Sequence, residues 1–145
     1  MTHEQAIQRV EKIISSGQAF VMATVDADGR PHMRWMGAVA RDPHNRRVGY
    51  LISSSKANKM RHLAANPATQ LLFTTPEYET IVTLDGESEA VTDQVTRKMV
   101  WDAIPAAADY FSGPDSEEYG VIRFTACCLE VRGTRESTGP VRIEL

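Results

Sequence analysis

The stretch that decides the fold is VGYLISSSKANK at residues 48–59. Its first five residues are mostly apolar and rich in strand-forming types, which predicts a β-strand over residues 48–52. Helical spacing follows from Asn58 to Ala65, and Pro67 should end that helix, because the residue before a proline disfavours the helical conformation. The chain is therefore expected to pass from a strand to a helix through a turn of serines and lysines.

This turn, residues 53–59, is a candidate anion site. Free backbone N–H groups and the macrodipole at the start of a helix attract negative charge. Serine and lysine side chains add charge-assisted hydrogen bonds of the kind that hold phosphate. The alternative is a solvated turn that precedes an ordinary helix, and the motif alone does not decide between the two.

Composition narrows the class of protein. The 145 residues suit a single domain over residues 1–145, and the net charge of −3 with scattered basic residues argues against a nucleic-acid partner. No apolar run approaches the roughly 20 residues of a membrane span, and residues 1–17 lack a signal-peptide core. The adjacent Cys127 and Cys128 are expected to be buried, unreactive thiols. We expect a cytoplasmic protein without a membrane partner and without a metal site.

Periodicity and turn signals give the order of elements. An N-terminal helix is predicted within residues 1–17, with a capping box at its start, and a third helix over residues 93–108. Strands are predicted at 20–25, 31–40, 48–52, 70–75, 80–91, 119–125 and 128–132, the first three forming a meander. No structure is predicted for the tail, residues 134–145. Six or seven antiparallel strands with three helices predict a mainly β fold, a closed or partly closed β-barrel with flanking helices.

The strand PHMRWMG at residues 31–37 carries an arginine among apolar residues. A buried charge needs a partner, so Arg34 is expected to meet either a carboxylate from elsewhere in the fold or a ligand. No nucleophile elbow, metal-spaced histidine or cysteine cluster, or Walker loop is present. A domain without such machinery suits a cofactor that brings its own reactivity. A flat, redox-active molecule ending in phosphate would suit both the turn and the Arg34 strand.

An ordered set of short motifs resembles the pyridoxamine 5′-phosphate oxidase-like flavin-binding split barrels. The set is ATVDADGRPH at residues 23–32, Arg34, Ser53-x-x-Lys56-x-x-Lys59, and Asn66-Pro67. Further pieces resemble the bacterial general stress protein subgroup, namely GESEAV at residues 86–91, Trp101, Tyr110-Phe111 and GPD at residues 113–115. The resemblance covers residues 7–131.

The resemblance implies a six-stranded antiparallel split β-barrel with flanking helices, working as a homodimer with FMN at its interface. It implies cofactor contacts in four groups. Arg34, Trp35 and Met36 would line the flavin ring, Leu51, Ile52 and Ser53 the ring edge and ribityl chain, Ser54, Asn58 and Lys59 the phosphate, and the partner subunit would add Thr74, Thr75 and Trp101 or Phe111.

Two departures from the oxidase qualify this expectation. Asn58 stands where the oxidase has an arginine, so one bidentate phosphate contact should be weaker here. Residues 133–145 lack the arginine- and histidine-bearing segment with which the oxidase holds its substrate, so a true pyridoxamine 5′-phosphate oxidase is not expected.

A further expectation concerns the position of Arg34 against the flavin. If Arg34 lies near the pyrimidine edge of the flavin, its charge should raise the reduction potential.

Three functions follow from these observations. The first is a flavin-dependent oxidoreductase with an unknown small-molecule substrate, and the second a stress protein that sequesters or senses FMN without turnover. The third keeps the barrel but binds the deazaflavin F420 or haem. F420 carries a long acidic tail that favours a more basic groove, and haem needs an axial ligand such as His32 or His62. FMN is therefore the favoured cofactor.

Overall fold

The structure is a computed structural model that describes residues 2–135 and 139–145. Its elements are α1 (His3–Ile14), β1 (Phe20–Val25), β2 (Pro31–Met36), β3 (Val39–Arg41), β4 (Val48–Ser54), α2 (Asn58–Ala65), β5 (Ala68–Thr74), β6 (Thr80–Val91), α3 (Gln94–Ala103), a 3₁₀ helix (Pro105–Asp109), β7 (Tyr119–Gly133) and β8 (Val141–Glu144). None of the helices in the described part of the chain is long and apolar enough to cross a membrane.

All strands join one antiparallel sheet in the order β2-β1-β5-β6-β7-β4-β3, and β8 pairs with β7. The two end strands, β2 and β3, are separated by only Gly37 and Ala38. Because two residues span only about 7 Å, the sheet has to curl until its ends meet. If β2 and β3 are counted as the two halves of one barrel strand, six strands surround the barrel. The predicted split barrel with flanking helices is therefore confirmed.

The predicted meander has the right strand neighbours, but its middle strand is not continuous. The strand predicted at 31–40 breaks after Met36, so that β2 pairs with β1 while β3 pairs with β4. A period-two pattern continues through a short break and therefore cannot reveal it. The same break places the Arg34 strand and the serine-lysine turn on neighbouring walls of the barrel.

The strands predicted at 119–125 and 128–132 form one long strand, β7. Its pairing with β6 shifts from Gly86–Ala126 to Asp85–Cys128, a β-bulge that leaves Cys127 unpaired. Cys127 is consequently exposed, which contradicts the expectation of two buried thiols. Cys128 is buried, and desolvation, with the nearby Asp85, raises the pKa of its thiol to about 11.

The close approach of β6 and β7 at this bulge requires a glycine. A Cβ atom on Gly86 would lie 2.1 Å from the carbonyl oxygen of Thr125 and 2.8 Å from the ring of Phe124. Backbone and ring atoms at these distances cannot move aside without changing the sheet. The glycine of the GESEAV motif is thus needed for the close packing of β6 against β7.

All three predicted helices are present, but the third is shorter than predicted. Thr2 and Gln5 form the predicted capping box at the start of α1. The third helix ends at Ala103 and not at residue 108, because Pro105 starts a separate 3₁₀ turn. The tail, residues 134–145, contains β8, although residues 136–138 of it lie outside the described residues.

Two apolar clusters hold the elements together. The larger fills the barrel and includes Phe20, Met22 and Ile122, with α1 closing one end. The smaller lies on the outer face of the sheet, where α3 covers Tyr119 and Val121. Strand β7 is therefore buried on both faces over much of its length. Two large apolar side chains that stay exposed, Trp35 and Tyr110, lie between β2, β4 and the segment after α3.

Candidate functional site

An open groove of about 620 Å³ lies between the ends of β2 and β4 and the segment that follows α3. Seven of the residues predicted to bind a cofactor line it, namely Trp35, Met36, Ile52, Ser53, Ser54, Lys59 and Phe111. The structure thus brings together the Trp35–Met36 strand and the serine-lysine turn, two segments that are separated along the chain by more than fifteen residues.

The remaining predicted residues do not line this groove. Leu51 is fully buried in the barrel interior, so only its backbone is available to a ligand on the outer side. Trp101 is half-buried and packs edge-to-face on Tyr119 with 5.3 Å between ring centroids. Thr74 and Thr75 line a different groove beside α1. Asn58 is exposed at the start of α2, and Arg34 is half-buried on β2.

The serine-lysine turn has the geometry of an anion site. Lys59 Nζ donates a hydrogen bond of 2.9 Å to Ser53 Oγ, which in turn donates to the carbonyl oxygen of Ser54 at 3.1 Å. The residue before the helix is Ala57, which offers no side-chain acceptor to the first N–H groups of α2. Since capping side chains normally occupy these donors, α2 begins with donors that a ligand can use.

Arg34 is partly buried on β2. Its Nη1 donates to the carbonyl oxygen of Met22 at 3.1 Å, and among the residues that the structure describes no carboxylate forms an ion pair with it. The expected carboxylate partner is therefore absent from the described chain, and the ligand alternative gains support. Burial lowers the pKa of the Arg34 guanidinium.

Lys59 is also partly buried, and it shares the electrostatic environment of Arg34. Burial is the main cause that lowers the pKa of the Lys59 amine, and the positive charge of Arg34 is the second. Two like charges that are both partly desolvated and close enough to repel each other lower the stability of the fold. An anion placed between them would relieve both effects.

Sequence reasoning missed a histidine pair behind this centre. His62 Nδ1 and the buried Thr24 Oγ1 are 2.9 Å apart, and its ring stacks on His32 with centroids 4.5 Å apart. His32 Nε2 in turn lies 2.8 Å from Asp26 Oδ2. The shared face of His32 and Arg34 on β2 was a usable signal, but the contact with α2 depends on tertiary packing. Neither imidazole lines the groove.

The outer wall of the groove consists of the segment from Ile104 to Glu118. Only Phe111 of this segment was predicted to contact the cofactor, and it was predicted to do so from the partner subunit. Arg97 of α3 fastens this segment by donating to the carbonyl oxygens of Pro114, Ser116 and Tyr119 at 2.8–3.2 Å. Tyr110 on this wall is 76% exposed, and Trp35 on the facing strand is 71% exposed. Large aromatic side chains on a groove and open to solvent are typical of a surface that is covered in the working assembly.

The chain matches the profile of one protein family. The family is described as pyridoxamine 5′-phosphate oxidase, and the match extends over residues 6–130. A curated relative, the pyridoxine/pyridoxamine 5′-phosphate oxidase of Pseudomonas entomophila, is 36% identical over 84 residues, which make up 58% of this chain and 38% of that enzyme. The chain thus matches well under half the length of this curated relative.

Solved structures share the fold at low sequence identity. A Clostridium acetobutylicum protein related to general stress protein 26 of Bacillus subtilis has a TM-score of 0.81 at 18% identity, covering 99% of this chain and 97% of its own. An FMN-binding protein from Nostoc punctiforme has a TM-score of 0.75 at 13% identity, covering 98% and 89%. A haem-binding protein from Mycobacterium smegmatis has a TM-score of 0.76 at 20% identity, covering 99% and 60%. At these identities the likeness shows the fold alone.

Proposed function

The chain belongs to the pyridoxamine 5′-phosphate oxidase family, and on that premise we propose that it is an FMN-binding flavoprotein that acts as a flavin-dependent oxidoreductase on a small molecule. One observation carries the proposal. Arg34 and Lys59 are partly buried, repel each other, and lack a carboxylate partner among the described residues. A phosphate with two negative charges would neutralise both.

The groove residues and Arg34 fit such a molecule from one end to the other. Ser53, Ser54 and Lys59 would hold the phosphate together with Arg34. The charge of Arg34 acts on Lys59, which favours the phosphate end over the pyrimidine edge for Arg34. Trp35, Met36 and Ile52 offer a flat apolar wall for a ring system. When bound, FMN supplies the electron-transfer chemistry that the side chains themselves lack.

A homodimer is part of the proposal. Met33, Trp35 and Tyr110 are each more than two-thirds exposed, and the last two face the groove. A second copy of the chain would cover this apolar surface and close the groove over the flavin. Thr74 and Thr75 lie away from the groove of their own chain, and we propose that they reach the flavin bound to the partner.

Vitamin B6 oxidation itself is not proposed. Lys59 is the one cationic side chain among the described residues that line the groove, and the cofactor phosphate would occupy it. A phosphorylated substrate would then meet Glu118, a carboxylate, with no remaining positive charge on that lining. An uncharged or cationic small molecule fits the groove better than a phosphate ester does.

Two other cofactors receive less support. Haem needs an axial ligand, but His62 is bound to Thr24, His32 is bound to Asp26, and neither lines the groove. F420 would bring an acidic tail to a groove whose lining includes Glu118. A cytoplasmic location and a role in the stress response complete the proposal, the latter resting on fold similarity alone.

The first test is the visible absorption spectrum of the purified protein after FMN has been added and the excess removed. Retained flavin bands near ~450 nm are expected. A protein that retains no flavin contradicts the cofactor assignment, and an intense Soret band after incubation with haem would favour the haem-binding alternative. Light scattering on the same sample tests the dimer, and a monomer that keeps FMN would contradict the shared interface.

A second experiment separates the oxidoreductase from a protein that only stores FMN. The holoprotein is mixed anaerobically with NADH or NADPH, and the flavin absorbance is followed. Bleaching of the bands, reversed by admitting oxygen, is expected for the oxidoreductase. The flavin absorbance stays constant if neither nicotinamide nor a dithionite-reduced flavoprotein can reduce the bound flavin. That result would favour sequestration of FMN.

A further inference from the structure

The two adjacent cysteines of β7 lie on the same face of the sheet. In a regular strand, neighbouring side chains point to opposite faces, which would keep the two thiols apart. The β-bulge changes this, because Cys127 is the extra residue without a partner on β6. Ala126 and Leu129, on either side of the pair, belong to the cluster inside the barrel, whereas Cys127 is exposed. Cys127 therefore points outward, to the side on which Cys128 meets Asp85.

The two thiols interact with each other. Burial raises the pKa of the Cys128 thiol to about 11, Asp85 is the second cause of this rise, and the thiol of Cys127 is the third. A contribution from Cys127 requires its sulfur to lie near that of Cys128. The bulge thus creates a dithiol with one sulfur open to solvent and the other just beneath the surface.

A carboxylate and a guanidinium hold the inner sulfur. Cys128 Sγ donates to Asp85 Oδ2 at 3.4 Å, and Arg142 Nη2 donates to Cys128 Sγ at 3.0 Å. Arg142 also lies 3.7–3.9 Å from the carboxylates of Asp85, Glu130 and Glu144, which keep it in place. Its side chain is 53% exposed, so the sulfur that it contacts is within reach from solvent. Arg142 can stabilise negative charge on this sulfur, and Asp85 opposes it.

A disulfide does not suit this pair. The Cα atoms of adjacent residues are about 3.8 Å apart, whereas those of an unstrained disulfide are at least about 4.4 Å apart. A direct bond between the sulfurs would therefore be strained. A single atom that bonds to both sulfurs avoids this strain, because the sulfurs then do not have to touch each other.

The number of ligands narrows the choice of that atom. In residues 2–135 and 139–145, no group of three or more His, Cys, Asp or Glu side chains is arranged to hold a metal ion. An ion that requires four ligands, such as Zn²⁺, therefore does not fit. Thiolates are soft ligands that select Cu(I), an ion that two sulfurs are enough to bind.

We propose that Cys127 and Cys128 form a binding site for a single Cu(I) ion. Two S–H bonds break, two S–Cu bonds form, and both protons pass to solvent, while copper stays in the +1 state. The product carries one net negative charge, which the guanidinium of Arg142 stabilises. The site is independent of the proposed flavin chemistry, because neither cysteine lines the groove between β2 and β4.

The test is an anaerobic competition for Cu(I) between the protein and bicinchoninate, whose coloured copper complex fades as the protein takes the metal. The native protein is compared with Cys127→Ser, Cys128→Ala and His44→Gln. His44 is the matched control, because it is an exposed side chain able to bind copper that lines a different groove from Cys127. Iodoacetamide labelling of Cys127, followed by intact mass spectrometry, gives a second readout.

The native protein should take one equivalent of Cu(I), and bound copper should block the labelling of Cys127. Each cysteine variant should lose at least about a hundredfold in affinity, because removing a ligand costs more than the 10–100-fold of removing a group that only orients one. His44→Gln should change the affinity less than about twofold, as expected of a residue outside the site.

The neighbours of the inner sulfur should act in opposite directions. Asp85→Asn removes the carboxylate that favours the protonated thiol, so Cu(I) affinity at pH 7 should rise by about three- to tenfold. Arg142→Gln removes the positive charge beside the same sulfur and should lower the affinity by a similar factor. A merely structural role of the two residues would not produce changes of opposite sign.

Cys127→Ser leaves Cys128 and its two hydrogen bonds in place, so this variant tests the site even if Cys128→Ala fails to fold. Native affinity in Cys127→Ser would overturn the inference, as would a native protein that takes no copper from bicinchoninate. Labelling of Cys127 at an unchanged rate in the presence of Cu(I) would contradict it as well. If a folded Cys128→Ala variant keeps the native affinity, a single exposed thiol binds the ion and the dithiol site is disproved.

Discussion

Two groups of basic side chains in this protein have opposite surroundings. In the first, the paired cluster, Arg46 lies 2.9 Å and Arg41 3.9 Å from the same carboxylate, Glu11. In the second, the unpaired cluster of Arg34 and Lys59, no carboxylate of the described chain takes part. The first cluster is neutralised within the chain, and the second has no such partner among the described residues.

The difference shows how a structure distinguishes a cation that pairs within the chain from a cation that is free to bind a ligand. A surface ion pair contributes little but costs little, because its members stay partly in water. A partly buried cation without a partner lowers the free energy of unfolding. A protein keeps such a cation when a ligand compensates for that loss. The burial-lowered pKa values of Arg34 and Lys59 are the mark of that cost.

The largest effect is expected at Lys59. Lys59→Ala removes a charge-assisted contact and should weaken FMN binding by about ten- to a hundredfold, equivalent to roughly 1.5–3 kcal/mol. Riboflavin affinity should change much less. Fluorescence titration measures both, and Arg46→Ala serves as the paired-cluster control. Equal FMN affinities in the two variants would erase the distinction between the clusters.

A somewhat smaller effect on affinity is expected at Arg34. Arg34→Met should weaken FMN binding about tenfold, because one of the cations facing the phosphate is lost. Since Arg34 lies beside Lys59, the reduction potential of the flavin that still binds should stay unchanged in a redox titration. A marked fall in that potential would return Arg34 to the pyrimidine edge and remove it from the phosphate end.

The paired cluster should respond in stability and not in binding. Glu11→Gln leaves Arg41 and Arg46 without their shared carboxylate and should lower the free energy of unfolding by about 0.5 kcal/mol, as is usual for exposed pairs. Urea unfolding gives the stability, and fluorescence titration gives the FMN affinity, which should equal that of the native protein. A loss of affinity here would mean that the two clusters are coupled.

The smallest effect is a shallow pH dependence of stability beside the unpaired cluster. Burial is the main cause that lowers the pKa of His62, assisted by the charges of His32, Arg34 and Arg61 and opposed by Asp26. The unfolded chain then binds the proton more readily, so stability is full above about pH 6.5 and falls as the pH drops below that value.

Urea unfolding of the ligand-free protein between pH 8 and pH 5 measures this slope. The variant His62→Gln keeps a side chain able to bond Thr24 and should flatten the curve. Sulfate, whose charge is constant over this range, should also reduce the slope in the native protein, because a bound anion favours the protonated imidazole. A slope that His62→Gln leaves intact would assign the titration to another group.

The elements themselves were largely predictable from the sequence. The alternation at residues 80–91 and the apolar run at residues 20–25 correspond to β6 and β1 as predicted. The capping box at Thr2 and the stop before Pro67 fix the ends of two helices through local contacts. Local hydrogen bonds and side-chain periodicity decide such features, so a single sequence is sufficient to see them.

The errors share a physical cause. The break between β2 and β3, the bulge at Cys127 and the short β8 all depend on which strand lies alongside. Pairing partners are distant in sequence, and one residue added to a strand leaves its composition unchanged. The sequence therefore identified the longer strands but divided or joined two of them wrongly and did not reveal β8.

The candidate site likewise has one part that the sequence reveals and one part that it does not. Ser53, Ser54 and Lys59 were identifiable because a strand, a polar turn and a helix start follow one another directly. The wall formed by Tyr110 and Glu118 was not, since it reaches the groove only through the packing of α3 and the segment behind it. The sequence alone does not reveal that Tyr110 and Glu118 lie on the same groove as Ser53 and Lys59.

The sequence alone is enough to predict the antiparallel barrel, the serine-lysine turn and an arginine within an apolar strand. Only the folded chain shows that Arg34 has no carboxylate partner among the described residues and that its charge acts on Lys59. The reason is that periodicity and capping act within a few residues, whereas the balance of charge at a site depends on what the whole fold places around it.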